Sequence, residues 1–287
     1  MATLDIDLEA RPARSDFKLQ RRFDRTARLL GEEAMERLHH ARVIVFGLGG
    51  VGSFATEALA RSGVGALLLC DFDSVCVTNC NRQLPAMQGT IGRSKAELLA
   101  ERVRLINPAC RVEPLVEFYS EATSDRLLAG GATYVVDCID NVKAKLHLLA
   151  TCVERRLPVV SSMGAAGRLD PTQVRVADLS ETWNDPFAKD VRKLLKRKHR
   201  IDTEAHTGID AVFSPERLIN PTPLSYDHGG FLCVCPHKDN GVHTCDHRTV
   251  INGTAGFVTG TFGLVAASVV VRRIAAGTAA PPSAARL

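Results

Sequence analysis

The chain has 287 residues, with 36 Lys and Arg, 32 Asp and Glu and 45% apolar residues. That is enough for one large or two small domains with a sizeable core, at the charge content of ordinary soluble proteins, and the net charge of +4 permits an acidic partner without requiring one. Nine cysteines, spread over helical and strand-like segments with no signal-peptide pattern, exclude a disulfide framework and point to reduced thiols and a cytoplasmic location.

Residues 1–19 open with "MATLDIDLEARPARSDFK", mixed in charge and without an apolar stretch, and read as a mobile lead-in. From Leu19 to His40, Phe23, Ala27, Leu30, Met35 and Leu38 recur among charges, which predicts one or two amphipathic helices interrupted at Gly31. "ARVIVFG" follows as a buried strand, then a glycine loop and the helix "SFATEALARSG" ending at Gly63. "ALLLCDFD" is a second strand, "KAELLAERVRLIN" a helix, "RVEPLVEFY" and "ATYVVDCID" strands, "NVKAKLHLLATCVERR" a helix and "LPVVSSMG" a strand. Strands alternating with helices of this length imply right-handed β-α-β units. The expected fold class is α/β: a Rossmann-like, mostly parallel sheet with helices on both faces over residues 20–166.

After Gly167 the pattern changes, and residues 167–275 read as a smaller α+β extension of the same fold. "RLDPTQVRVADLSET" suggests a strand pair, "DPFAKDVRKLLKRKHR" a basic helix, and "GIDAVFSPERL" a strand with a turn at Pro215. Asp227 to Gly253 reads as a long loop. The uncharged run from Val250 to Val271 is long enough to span a bilayer. Its Gly, Thr, Ser and Asn content favours a buried core helix preceded by a loop, with no membrane contact. Residues 276–287 read as a disordered tail.

The loop "VFGLGGVGS" contains G-x-G-x-x-G. Its glycines let backbone amides approach phosphates, and the following helix N-terminus favours negative charge. Asp71, ending the second strand, is placed to accept hydrogen bonds from a ribose. Up to this point NAD and ATP predict the same residues. The next blocks separate them: "CDFDSVCVTNCNRQLP" supplies Asp71, Asp73, Asn79 and Asn81-Arg82-Gln83, "IGRSKAE" puts Lys95 at a helix start, and "VVDCIDN" ends a strand with Asp137, Asp140 and Asn141. A nicotinamide has no use for Arg82, Lys95 and Asp140 at one sheet edge. Phosphates that react do, because Arg and Lys offset their charge and a carboxylate can hold Mg²⁺. Ser53-Phe54 follows Gly52 where a P-loop would carry its lysine, so the loop is not a P-loop. Taken singly, Arg25 and Arg82 also fit surface helix positions, Lys95 a solvent contact and Asp140 an N-cap.

In order and spacing, "RFDRTARLLG", "GLGGVGS", "DFDSV…TNCNRQ", "GRSKAE" and "DCIDN" resemble the E1-like adenylating enzymes, which include ubiquitin-activating enzymes and bacterial activators of sulfur-carrier proteins. The resemblance implies that Gly47, Gly49, Gly50 and Gly52 line phosphates and that Asp71, with Asp73 beside it, binds the ribose side of ATP. It implies that Asn79, Arg82 and Lys95 contact the triphosphate, that Asp140 coordinates Mg²⁺, and that Arg25 is lent to the neighbouring site of a homodimer. The implied chemistry is attack of a carboxylate on the ATP α-phosphate, giving an acyl-adenylate and pyrophosphate.

The second half narrows this. "SSMGAAGRLDPTQVRVADLSETWNDPFAKDVRKLLKR", "GIDAVFSPE" and "INGTAGFVTGTFGLVAA" are similar to the tRNA threonylcarbamoyladenosine dehydratases, extending the resemblance to residues 20–275. Those enzymes activate the carboxylate of a threonylcarbamoyl group on a tRNA adenosine next to the anticodon and close it into a ring with loss of water. The attacking atom then belongs to the substrate, so no enzyme nucleophile is needed. Also implied are a monovalent cation (K⁺ or Na⁺) beside ATP and Mg²⁺, and a link to a cysteine-desulfurase and sulfur-acceptor system. "KDVRKLLKRKHR" suits tRNA phosphates, or else a solvated face.

Cys233, Cys235 and Cys245, with His237, His243 and His247, leave three readings open: a metal site, a reactive or persulfide-carrying thiol, or a structural or substrate-gating loop. Cys70, Cys76, Cys80, Cys110, Cys138 and Cys152 read as core or near-core fillers. A sulfur-carrier activator and a non-catalytic nucleotide-binding scaffold stand as alternatives. The missing pair of C-x-x-C motifs counts against the first, and the intact Arg82, Lys95 and Asp140 against the second.

Overall fold

Successive strand residues point to opposite faces of a sheet, and here each face meets its own core. Val43, Val45, Leu67, Leu69, Val136, Val160 and Val212 belong to one apolar cluster, whereas Ile44, Phe46, Leu68, Val135, Val159, Ala211 and Phe213 belong to another. Both clusters are nearly closed to solvent, which accounts for the continuous apolar runs in the sequence. The computed structural model describes residues 17–225 and 251–278.

The strands are β1 (Arg42–Phe46), β2 (Ala66–Cys70), β3 (Arg111–Leu115), β4 (Tyr134–Asp137), β5 (Val159–Ser162), β6 (Arg175–Asp178) and β7 (Ile209–Phe213). They form one sheet in the order β3-β2-β1-β4-β5-β7-β6, parallel except for β6, which runs antiparallel to β7. The order reverses between β1 and β4. In open α/β sheets such a switch point opens a crevice beyond the carboxyl ends of the strands.

One face carries α1 (Asp24–Leu30), α2 (Glu32–His40), α3 (Gly52–Arg61), α4 (Lys95–Ile106) and α8 (Gly256–Ala275), and the other carries α5 (Glu121–Leu127), α6 (Val142–Glu154) and α7 (Pro186–His199). Gly31, at φ +86°, separates α1 from α2 as expected. α8 is long and apolar enough to cross a bilayer, yet 56% of its apolar window is buried inside the protein. Its glycines explain how: a Cβ on Gly263 would stand 2.3 Å from the Val51 carbonyl oxygen and 2.8 Å from Phe54 Cβ. Small residues therefore seat α8 directly on α3, the helix that follows the glycine loop.

The stretch expected as a strand pair is a single strand, β6, between two short 3-10 turns at Pro171–Gln173 and Leu179–Glu181. Each turn is opened by an aspartate, Asp170 accepting from Thr172 N–H and Asp178 from Ser180 N–H. These local bonds compete with a second strand ladder. The Cys/His-rich reading on Cys233, Cys235, His237, His243, Cys245 and His247 lies outside the described residues, as do most of the lead-in and the tail.

Candidate active site

β1 delivers the chain into the glycine loop at the switch point. Gly47 donates to the Cys70 carbonyl (2.9 Å) and Cys138 donates to the Phe46 carbonyl (2.8 Å), tying the loop to β2 and β4. Gly47 has φ +82°, and a Cβ there would stand 2.6 Å from the Cys138 oxygen. At Gly52 a Cβ would come 1.8 Å from the Gly47 oxygen. These two glycines close the turn upon itself. A Cβ on Gly49 would meet the Gln83 amide nitrogen at an ordinary 3.6 Å, and one on Gly50 would crowd Thr259 Oγ1 (3.1 Å) and Arg82 Cγ (3.3 Å). α3 begins here without a side-chain cap; Ser53 and Ala55 N–H donate to the Gly49 and Val51 carbonyls, and the positive end of the helix suits an anion.

Asp71, buried just past β2, accepts from Leu48 N–H (2.6 Å) in the loop and from Asp73 N–H (2.8 Å). Burial pushes its carboxyl up, while the Lys95 ammonium and the two backbone donors act against the shift. The carboxylate thus shapes the loop and still has lone pairs for a further donor.

Lys95 is the first residue of α4, whose N-cap Ser94 accepts from Glu97 N–H. Only 5% of it is exposed, and its Nζ lies 2.8 Å from Asp73 Oδ2. Burial alone would disfavour the ammonium, but the carboxylates of Asp71, Asp73 and Asp140 hold its pKa above the ordinary lysine value. It is a fixed positive charge at neutral pH.

Asn79 is buried and closes a short turn by accepting from Cys76 N–H (3.0 Å). Its own carbonyl accepts from Arg82 and Gln83 N–H (3.0 and 2.9 Å), so it aims both side chains at the loop. Arg82 Nη1 donates to the Thr78 carbonyl and Asn81 Oδ1, both at 2.9 Å. Gln83 carries a signal that sequence reasoning missed. Its side chain is buried with Nε2 toward Gly49, and Oε1 has no hydrogen-bond partner among the described residues. A buried orphan acceptor beside the loop asks for a ligand donor. Its adjacency to Arg82 in the Asn-Arg-Gln run was the available clue.

Asp140 is exposed, and the N-cap of α6 is its neighbour Asn141, which accepts from Ala144 N–H (3.0 Å). The capping explanation of Asp140 therefore fails, and its carboxylate stands open within electrostatic reach of Lys95. Asp137, by contrast, is structural. It is fully buried, accepts from Ile139 N–H (3.0 Å) and Ser161 Oγ (2.6 Å), and pairs with the Lys145 ammonium. This braces the turn that presents Asp140.

Arg25 is not brought to this cluster. It is exposed on α1, two residues past Phe23, which packs at Gly63 at the amino edge of the sheet. Arg22 donates to the Ile106 carbonyl at that same edge.

Cys70, Cys76, Cys110 and Cys152 are buried, Cys138 is half-buried, and Cys80 is exposed rather than a filler. Burial pushes the thiols of Cys70 and Cys138 up to about 12, so neither is a thiolate at neutral pH. Among the described residues no group of three or more Cys, His, Asp or Glu could hold a metal ion.

The chain is 41% identical over 262 residues to the tRNA threonylcarbamoyladenosine dehydratase of Escherichia coli K12, a match covering 91% of this chain and 96% of that protein. It is 46% identical over 197 residues to the Bacillus subtilis protein of the same name, covering 69% of this chain and 76% of that one. The crystal structure of the E. coli dehydratase in complex with ATP is similar with a TM-score of 0.77 at 40% identity, covering 90% of this chain and 95% of that one. The ThiF family model matches residues 23–286, and the chain belongs to the ThiF family.

Proposed function

We propose that the protein uses ATP to activate the threonyl carboxylate of threonylcarbamoyladenosine next to the tRNA anticodon, and lets the substrate close on itself with loss of water. The reading is supported by Gln83 and Arg82 beside Gly49 and Gly50, with Lys95 paired to Asp73 and in electrostatic reach of Asp140, in a chain 41% identical to the E. coli dehydratase over 91% of its length. The loop and the free Gln83 acceptor fit a nucleotide, with Asp71 toward its ribose. Arg82 and Lys95 offset the charge on the α-phosphate as a carboxylate oxygen bonds to phosphorus and pyrophosphate leaves. Asp140 is the carboxylate free to hold Mg²⁺, which when bound supplies further charge neutralisation. An atom of the substrate then attacks the activated carbonyl and AMP departs, so the second step needs positioning and no enzyme nucleophile.

Arg25, remote from the loop of its own chain, suits donation to the neighbouring site of a homodimer. The C-terminal region, residues 167–275, is the tRNA-binding part. Asp185 caps α7 beside Gly164, at the catalytic edge. From there the 14 residues of α7 run about 21 Å along the flank at 1.5 Å per residue. They carry the exposed Lys189, Lys193, Lys196, Arg197 and Lys198, of which only Lys196 forms an ion pair among the described residues, with Glu204, while Arg192 is tied to Leu179 and Thr182. Phosphates of an RNA stem suit that row.

The test is incubation of the protein with ATP, Mg²⁺ and tRNA bearing threonylcarbamoyladenosine. Loss of one water from the nucleoside by mass spectrometry, with matching AMP and pyrophosphate, is the expected result. AMP release that depends on a small protein with a Gly-Gly tail instead of tRNA overturns the proposal.

A companion prediction separates the glycines. Gly52→Ala forces a Cβ into the Gly47 carbonyl, so it lowers the melting temperature as well as ATP affinity. Gly49→Ala leaves the melting temperature unchanged but weakens ATP binding in isothermal titration, because its Cβ meets only the Gln83 side chain, at ordinary contact distance, on the ligand side of the loop. Unaltered ATP affinity in Gly49→Ala would show that the loop is not the phosphate cradle.

A further inference from the structure

Trp183 is the chain's single tryptophan, and it is half exposed at 50%. Exposed apolar side chains are common singly; what distinguishes this one is its bracing and its place. The indole meets the ring of Phe213 in a T-shaped contact, with centroids 4.8 Å apart and planes at 76°. Phe213 is fully buried and ends β7. On the N-terminal side, Arg192 Nη1 donates to the carbonyl (3.0 Å) and the hydroxyl of Thr182. On the C-terminal side, Asn184 takes the left-handed conformation at φ +52°, and Asp185 is locked by the Arg168 guanidinium (2.9 Å) and Ala188 N–H (3.0 Å). Arg168 also donates to the carbonyls of Gly164 and Glu216, tying this turn to the segments leaving β5 and β7. The half-open indole is therefore held rigidly rather than left to move.

Its position matches the proposed substrate. Phe46, Asp137, Ser161 and Ala211 lie in register across β1, β4, β5 and β7, and Phe213 follows at the same carboxyl end. Three inter-strand steps put β7, on whose Phe213 the indole packs, about 14 Å along the catalytic edge from the strand that feeds the glycine loop. Neighbouring nucleotides of an unstacked loop cover that separation. Directly after Trp183 begins α7, with its row of lysines and arginines. A fixed aromatic ring beside a basic flank is how proteins hold unpaired nucleotides: cations follow the phosphates and the ring stacks a base.

We propose that Trp183 is the stacking platform for an unpaired base of the anticodon loop next to the adenosine being modified. This rests on the proposed function. A rigid ring costs the RNA little ordering of the protein on binding, and the stacked base sets how far the modified adenosine reaches toward Arg82 and Lys95.

With one tryptophan, the intrinsic emission of the full chain reports Trp183 alone. Titration with tRNA bearing threonylcarbamoyladenosine is expected to quench it saturably, whereas a fully paired RNA duplex of the same length does not. Trp183→Ala and Trp183→Leu are each expected to raise KM for tRNA about tenfold or more, with KM for ATP unchanged. Trp183→Phe, which keeps a flat ring, retains most of the tRNA affinity. A native KM for tRNA in Trp183→Leu, or an indole left unquenched at saturating tRNA, overturns stacking. So does an emission change that follows protein concentration without RNA, which would make Trp183 a contact between copies of the chain. Failure of the native protein to bind or convert tRNA at all defeats the proposed function itself. Conversion of tRNA with an unquenched indole and unmoved KM defeats only the role of Trp183.

Discussion

Lys145→Met is expected to destabilise the protein by about 3–5 kcal/mol, because it strips the partner from a carboxylate that has no access to water. Lys145 and Asp137 both have zero exposure, and the ammonium also donates to Ser161 Oγ (3.1 Å) and the Ser162 carbonyl (3.0 Å). Without it, Asp137 keeps, among the described residues, Ile139 N–H and the Ser161 hydroxyl. Restoring neutrality should recover most of the loss: in Lys145→Met with Asp137→Leu, no buried charge remains and the space is filled by apolar atoms. Urea unfolding of the native chain, the single variant and the double variant measures this directly. A double variant as unstable as the single one would show that the network acts by geometry and not by charge pairing. The two cases also differ functionally. Asp137 braces the turn that presents Asp140, so the double variant is expected to be stable yet to need more Mg²⁺ for ATP turnover.

The sheet was legible because β1, β2, β4 and β5 are buried on both faces and carry nearly unbroken Val, Ile and Leu runs. α8 was legible as a core helix because Gly260 and Gly263 make sense only against another helix. Glycine spacing marked the turn between β1 and α3, and residue type singled out Arg82, Lys95 and Asp140 as the residues proposed to act there. Other features depend on who occupies a single contact. Whether Asp140 or Asn141 caps α6 turns on one residue of register, and both are good caps. That Asp137 is a buried counter-ion follows from Lys145 one helix away, and neither residue announces the pair. Gln83 looks like any polar loop residue until its buried side chain is seen with the amide nitrogen toward Gly49 and Oε1 unpartnered. The missing second strand before α7 was hidden because Asp170 and Asp178 turn the chain with local bonds that a β-like alternation does not reveal.

Arg82→Ala is expected to lower the rate of AMP and pyrophosphate release by about 10²–10³-fold, the range for removing one charge-stabilising donor from a developing anion. Arg82 is partly exposed, and its Nη1 donates to the Thr78 carbonyl and Asn81 Oδ1 within its own turn. The fold should therefore survive, with a melting temperature close to native. Lys95→Met loses a similar charge at the same place but cannot be so clean. Its ammonium answers Asp71, Asp73 and Asp140 together, so its removal leaves three carboxylates repelling one another and lowers stability along with rate. Arg82→Lys separates charge from shape. An ammonium keeps the positive charge but cannot hold the bonds to the Thr78 carbonyl and Asn81 Oδ1 while presenting the rest of a planar fork, so it should restore only a minor part of the rate. The decisive comparison is single-turnover AMP formation in the presence of saturating tRNA. If Arg82→Ala turns over like the native chain while Lys95→Met is dead, the charge at the α-phosphate is supplied by α4 alone, and Arg82 serves only to hold the turn that carries Gln83.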